Sequence, residues 1–172
     1  ECINLRCNGN EIESKDVNNI LASGHKIIIT GTAGIGKTTM LRHLFLNTIR
    51  TSALIPVFVE LRGVNAEDKD ISIFELIYNS LSNCGFNLEK DYFKYSLESG
   101  KYVIFYDGFD EIKTEKSLLV AKGIRELSTK YPDNYYIMTS RPLDQFIGWN
   151  DFVEMHAMDL NKKQALSLVK RL

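Results

Sequence analysis

The sequence predicts an α/β domain in three layers, with a mainly parallel five-stranded sheet and helices on both faces. Three observations carry that reading. Short apolar runs of strand type alternate with longer runs of helical periodicity, and such alternation requires crossover connections, hence parallel strands. Two of the apolar runs stop abruptly, one in a glycine-rich stretch and one in carboxylates, as expected at the carboxyl edge of an open parallel sheet, where ligands bind. The length, 172 residues, suits one core that buries roughly two-thirds of the surface exposed by the unfolded chain.

Residues 1–25 read as a lead-in segment and residues 26–158 as the core. The first strand is KIIIT, Lys26 to Thr30, and the spacing of Leu41, Leu44 and Phe45 predicts a helix from Lys37 to Arg50. LIPVFVEL, Leu54 to Leu61, is a second strand, which Pro56 assigns to an edge. Ser72 and Glu75 form a capping box for a helix with Ile73, Leu76, Ile77, Leu81 and Cys84 on one face, ended by Gly85. A shorter helix, Leu88 to Ser99, is closed by Gly100. Tyr102 to Tyr106 is the third strand, and Val120, Ile124, Leu127 and Tyr131 stripe a helix that Pro132 stops. Tyr135 to Thr139 is the fourth strand; Phe152 to His156, after a loop holding Pro142, Gly148 and Trp149, is the fifth. In residues 159–172, Ala165, Leu168, Val169 and Leu172 form an apolar helix face with no later sequence to cover it, which reads as the start of a truncated helical subdomain in a longer protein.

Bulk properties narrow the function. The net charge is -1 and no block of like charge stands out, so nucleic acid is not indicated. Cys2, Cys7 and Cys84 are an odd number without a C-x-x-C pair, which argues for reduced, intracellular thiols rather than disulfides or zinc. The apolar runs fall short of the ~18 residues of a membrane span, so a soluble domain is expected. His25, His43 and His156 show no metal-site or triad spacing. Trp149 packs over the core or faces a partner.

The stretch GTAGIGKT fits G-x-x-x-x-G-K-[ST] and lies between a predicted strand and a predicted helix, the context that pattern needs. Gly31, Thr32, Ala33, Gly34, Ile35 and Gly36 are expected to turn backbone N–H groups onto phosphate, with Lys37, Thr38 and Thr39 opening the helix whose N-terminus favours negative charge. Lys37 is expected to reach the outer phosphates and Thr38 to place its hydroxyl on Mg²⁺. A Mg²⁺-nucleotide site also needs an acidic oxygen at the end of a neighbouring strand, and Asp107 at the end of YVIFYD supplies it. Beyond the bend at Gly108, Glu111 is the candidate to orient or deprotonate water, with Asp110 behind it as an outer partner of the metal. Either carboxylate could instead cap the next helix or face solvent. Ser140 and Arg141 follow the fourth strand, where a guanidinium can sense the terminal phosphate; an arginine merely held at the surface by Pro142 is the alternative.

Together these residues resemble the NACHT family, within the STAND class of signalling P-loop ATPases. The resemblance rests on the Walker A stretch GTAGIGKTT, the Walker B stretch YVIFYDGFDEI, the sensor stretch YYIMTSRP and the second strand IPVFVELR, spanning residues 26–142. It implies ATP and ADP with Mg²⁺, slow hydrolysis, and a cycle in which an ADP-bound closed form gives way to an ATP-bound oligomer that signals. It further implies a cytoplasmic protein carrying effector and sensor domains, as in innate immunity or antiviral defence, with helical and winged-helix subdomains completing the nucleotide contacts. Other readings remain: an AAA- or helicase-like mechanical ATPase, or a nucleotide-dependent assembly module without hydrolysis. A GTPase would want N-K-x-D, where Asn161 to Gln164 reads N-K-K-Q. A small-molecule kinase would want an arginine-rich lid, and the insert between Arg62 and Gly100 contains no arginine.

Overall fold

The computed structural model describes residues 3–66, 72–86 and 88–160. The elements run β1 (Leu5–Cys7), β2 (Asn10–Ile12), α1 (Val17–Leu21), β3 (Lys26–Thr30), α2 (Lys37–Thr51), β4 (Ile55–Glu60), α3 (Ile73–Asn83), α4 (Lys90–Leu97), β5 (Tyr102–Asp107), α5 (Thr114–Lys130), β6 (Tyr135–Ser140) and β7 (Val153–Ala157). One mixed, mostly parallel sheet takes the order β2-β1-β7-β3-β6-β5-β4. All five predicted strands are present, and β4, with Pro56, is an edge strand.

The sheet is larger than expected. The lead-in segment adds two strands: β1 pairs antiparallel with both β2 and β7, Leu5 lying opposite Ala157. Neither run exceeds three residues, too short for alternation to stand out in the sequence. The turn between them uses Asn8 and Gly9 at φ 48 and 82, the Asn-Gly pairing that a two-residue hairpin requires.

Two apolar layers sandwich the sheet. On one face, Ile27, Ile29, Val103, Phe105 and Ile137 pack with α1 and with Met40, Leu41 and Leu44 of α2. On the other, Ile28, Ile104, Tyr106, Tyr136 and Met138 pack with α3, α4 and α5 and with the loop aromatics Phe146, Trp149 and Phe152. Trp149 is therefore a core residue, edge-on to Phe109 and Phe146. Asn134 fixes the opposite end of the sheet: its side chain accepts from Tyr102 N (3.0 Å) and donates to Leu97 O (2.7 Å), joining α4, β5 and the turn into β6. Ser72 caps α3 by accepting from Glu75 N (3.3 Å), whereas the Glu75 carboxylate receives Lys90 instead of completing the box. Cys2 and the predicted helix face at Ala165, Leu168, Val169 and Leu172 lie outside the described residues. No helix among the described residues is long and apolar enough to cross a membrane.

The topology has one consequence for the chemistry. β6 lies between β3 and β5 and pairs in parallel with both, so the ends of all three strands open at one edge. Gly31, Asp107 and Arg141 leave the sheet there.

Candidate active site

The turn from β3 into α2 is built from backbone conformations that glycine alone adopts readily. Gly34 and Gly36 sit at φ 77 and 100, and Gly36 is the N-cap of α2 without a side-chain cap. The first amides of α2 therefore carry no side-chain cap at Gly36, where the helix dipole favours an anion. Ile3 of the lead-in segment packs under the loop, since a Cβ added at Gly36 would come within 2.8 Å of its Cδ1. Gly31 is equally confined: a Cβ there would lie 3.0 Å from that of Ala157 on β7. The N-terminal segment and β7 thus hold the loop in shape from behind.

The Lys37 ammonium donates to the carbonyls of Gly31 (2.7 Å) and Thr32 (3.0 Å). Partial burial pulls its pKa below the ordinary lysine value and the Arg141 charge adds to this, while Asp110, Asp107 and Glu111 work in the opposite direction. Thr38 donates its hydroxyl to Asp107 Oδ1 at 3.2 Å, so the two expected metal residues do meet. A hydroxyl and a carboxylate are hard oxygen donors, and Mg²⁺ retains several waters alongside a few such ligands; the pair fits that ion. Among the described residues no three His, Cys, Asp or Glu side chains form a metal cage of their own.

Asp107, 9 % exposed, is held by a residue the sequence did not single out. Thr139 donates its hydroxyl to Asp107 Oδ1 (2.7 Å) and accepts from Gly108 N (3.1 Å), bridging the end of β6 to the bend after β5. In the sequence Thr139 is an ordinary β-branched strand residue, and only strand pairing shows its partner.

Gly108 takes φ 74, and a Cβ there would approach the Glu111 carboxyl carbon to 3.2 Å. Both its conformation and the close carboxylate call for glycine. Glu111 lines a cavity of about 70 Å³ with Thr38, Arg42, Glu60, Arg62 and Asp107, beside the proposed metal position. Asp110, expected as an outer partner of the metal, has both oxygens turned to Arg141: Oδ1 accepts its backbone N–H and Oδ2 its Nε–H, each at 3.0 Å. The short 3-10 turn Phe109–Glu111 buries Phe109 and leaves the two acids aimed differently. Neither caps α5, whose N-cap, Lys113, has no side-chain cap; Asn65 joins the two segments by donating to Glu111 O (2.8 Å) and accepting from Lys113 N (2.9 Å). No sequence signal marks Asn65. Ser140, beside Arg141, is buried with a hydroxyl that has no partner among the described residues.

The histidines make contacts of other kinds in the structure. His25 stacks on Tyr135 at 4.3 Å, His43 contacts Lys15 O, and His156 Nδ1 lies 2.7 Å from the buried Thr30 hydroxyl at the base of the loop.

A family model described as the NACHT domain matches residues 25–165. Among solved structures, the chain is similar to a Signal Transduction ATPase with Numerous Domains, or STAND protein, with a tetratricopeptide repeat sensor from Pyrococcus horikoshii. That match has 22% identity and a TM-score of 0.53, covering 90% of this chain and 24% of that one. It is also similar to Drosophila ORC bound to DNA, at 13% identity and TM-score 0.56, over 86% of this chain and 41% of that one. These likenesses show the fold, and the chain spans well under half of either neighbour. Among curated proteins none matches the sequence at a significant level.

Proposed function

The chain belongs to the NACHT domain family of P-loop NTPases, and from that premise we propose that it binds ATP and ADP with Mg²⁺ and hydrolyses ATP slowly as an oligomerisation switch. The observation that carries the reading is the meeting of Thr38 on α2 with Asp107 on β5, at 3.2 Å, beside the Lys37 loop. Two separate segments supply those groups, and a structural role alone does not require a lysine, a threonine and a buried carboxylate at one glycine-rich turn.

In this reading the Gly31–Gly36 backbone and the first amides of α2 bind the phosphates, and the Lys37 ammonium exchanges its loop carbonyls for phosphate oxygens. Thr38 and Asp107 hold Mg²⁺, which when bound offsets phosphate charge and polarises the transferred group. Glu111 orients the attacking water and takes its proton. Asp110 fixes Arg141, whose guanidinium opposes charge developing on the terminal phosphate. Nucleotide exchange then governs self-association, and effector and sensor domains would lie elsewhere in a longer cytoplasmic protein. The same reading assigns a signalling role, in keeping with the STAND neighbour's description as a Signal Transduction ATPase, and the NACHT resemblance alone extends it to innate immune or antiviral defence.

The test is a Mg²⁺-dependent titration with a fluorescent ATP analogue, competed by ATP, ADP and GTP, on the chain and its Lys37→Ala variant. Competition by ATP and ADP but not GTP, abolished by the substitution, is expected. Binding indifferent to Lys37, or equal competition by GTP, would sink the reading.

A further inference from the structure

Resting on that nucleotide-binding reading, we propose that Arg42 and Arg62, tethered by Glu60, read the terminal phosphate and set the preference for a nucleoside triphosphate over a diphosphate. None of these three belongs to the phosphate loop, the Asp107–Glu111 segment or the Arg141 turn.

Glu60 ends the apolar run IPVFVE as Asp107 ends YVIFYD. The strands pair in parallel with Glu60 opposite Asp107, so the two side chains leave the sheet on the same face from strands about 5 Å apart. Across from them, Thr38 and Arg42 are four residues apart on α2 and share one side of the helix. The result is two parallel rungs: Thr38 to Asp107 at 3.2 Å and Arg42 Nη2 to Glu60 Oε1 at 3.1 Å. Arg62 folds back from the other direction and gives its own Nη2–H to Glu60 Oε2, also at 3.1 Å.

One carboxylate cannot occupy the N–H donors of two guanidiniums. Each arginine has five N–H donors, and each contributes one hydrogen bond to Glu60. The two arginines border the cavity of about 70 Å³ that Thr38, Asp107 and Glu111 also line. It is a small polar recess with room for waters or a small anionic group. The side chains of Arg42 and Arg62 are 61% and 65% exposed. Exposed pairs of this kind contribute little to stability, so an arginine can change partner at low cost. The third phosphate of a triphosphate offers acceptor oxygens to the remaining N–H donors, and a diphosphate lacks it. Glu60 keeps the two guanidiniums gathered at the metal side of the loop in the meantime.

Competition titrations with Mg-ATP and Mg-ADP on the wild-type chain, Arg42→Ala, Arg62→Ala, the matching lysine variants and Lys37→Ala test this, with thermal melts run without nucleotide. Each arginine-to-alanine change is expected to weaken ATP about tenfold while ADP stays within about twofold, as losing a charge-assisted phosphate contact predicts. Lysine should restore part of the ATP affinity, and the melting temperatures should barely move. Equal losses for ATP and ADP, or no change in either, would overturn the arginine role while leaving Lys37-dependent nucleotide binding intact. A wild-type chain that binds neither nucleotide would overturn the underlying reading, and this proposal with it.

Discussion

At the scale of single residues, polar groups in the interior separate into those that are satisfied and those that are not. Tyr106 is fully buried on β5 and its hydroxyl has no partner among the described residues. Burial pushes its pKa well above the usual tyrosine value, and the Tyr136 phenol adds to this. An unpaired buried hydroxyl costs desolvation without return, so Tyr106→Phe is expected to be neutral or to stabilise by up to about 1–2 kcal/mol in denaturant unfolding. A loss of that size would instead reveal a hydrogen bond. Tyr136 differs, because its hydroxyl donates to Tyr131 O at 2.8 Å, and its removal should cost about 1 kcal/mol. Both phenols stay neutral in the folded chain above the pH at which an unfolded tyrosine ionises. The folded state then binds more protons than the unfolded one, so stability falls as pH rises past about 10. Tyr106→Phe should make that alkaline slope shallower. The sequence marks Asp107 by the apolar run before it, yet Thr139, which orients it, has no such signature; a hydrogen bond between strands is invisible to spacing along one strand.

At the scale of elements, α5 shows how packing overrides local preference. Gly123 lies within this helix, where glycine costs roughly 1 kcal/mol relative to alanine. The structural reason is α3: a Cβ at position 123 would come within 2.7 Å of Ile73 Cγ1, next to the branch point of a stiff, buried side chain. Gly123→Ala should therefore destabilise by about 1–3 kcal/mol, as overpacking does, despite its better helix propensity. In a double-mutant cycle, Ile73→Ala, which removes the clashing Cγ1, should lower the cost of Gly123→Ala. A stabilised Gly123→Ala protein would mean that the two helices separate easily. From β3 onward the periodicity located the described helices and strands, most with shifts of a residue or two at their ends, but it did not locate β1, β2 or α1. It could not show that Asp110 would turn to Arg141, because a 3-10 turn of three residues has no periodicity from which direction can be read.

At the scale of the whole molecule, the N-terminal segment belongs to the sheet. Leu5 is fully buried among Ile27, Ile29 and Met155, and β1 extends the sheet beyond β7 while Ile3 packs beneath the phosphate loop. Leu5→Ala is expected to cost about 2–5 kcal/mol in unfolding free energy, the range of a buried leucine truncation. A cost under about 1 kcal/mol would reduce the segment to an attached strap. The sequence by itself determined the alternation of elements, the parallel core with helices on both faces, the edge position of β4 and the phosphate-loop pattern, because periodicity and glycine-dependent turns are local properties of a chain. Tertiary structure alone decided that β6 stands between β3 and β5, that Thr139 holds Asp107 and Asp110 holds Arg141, and that Glu60 gathers two arginines beside Thr38. Apart from Glu60 with Arg62, two residues on, those are contacts between segments 18 to 110 residues apart, and strand order and register, which bring them together, result from the packing of all the layers at once.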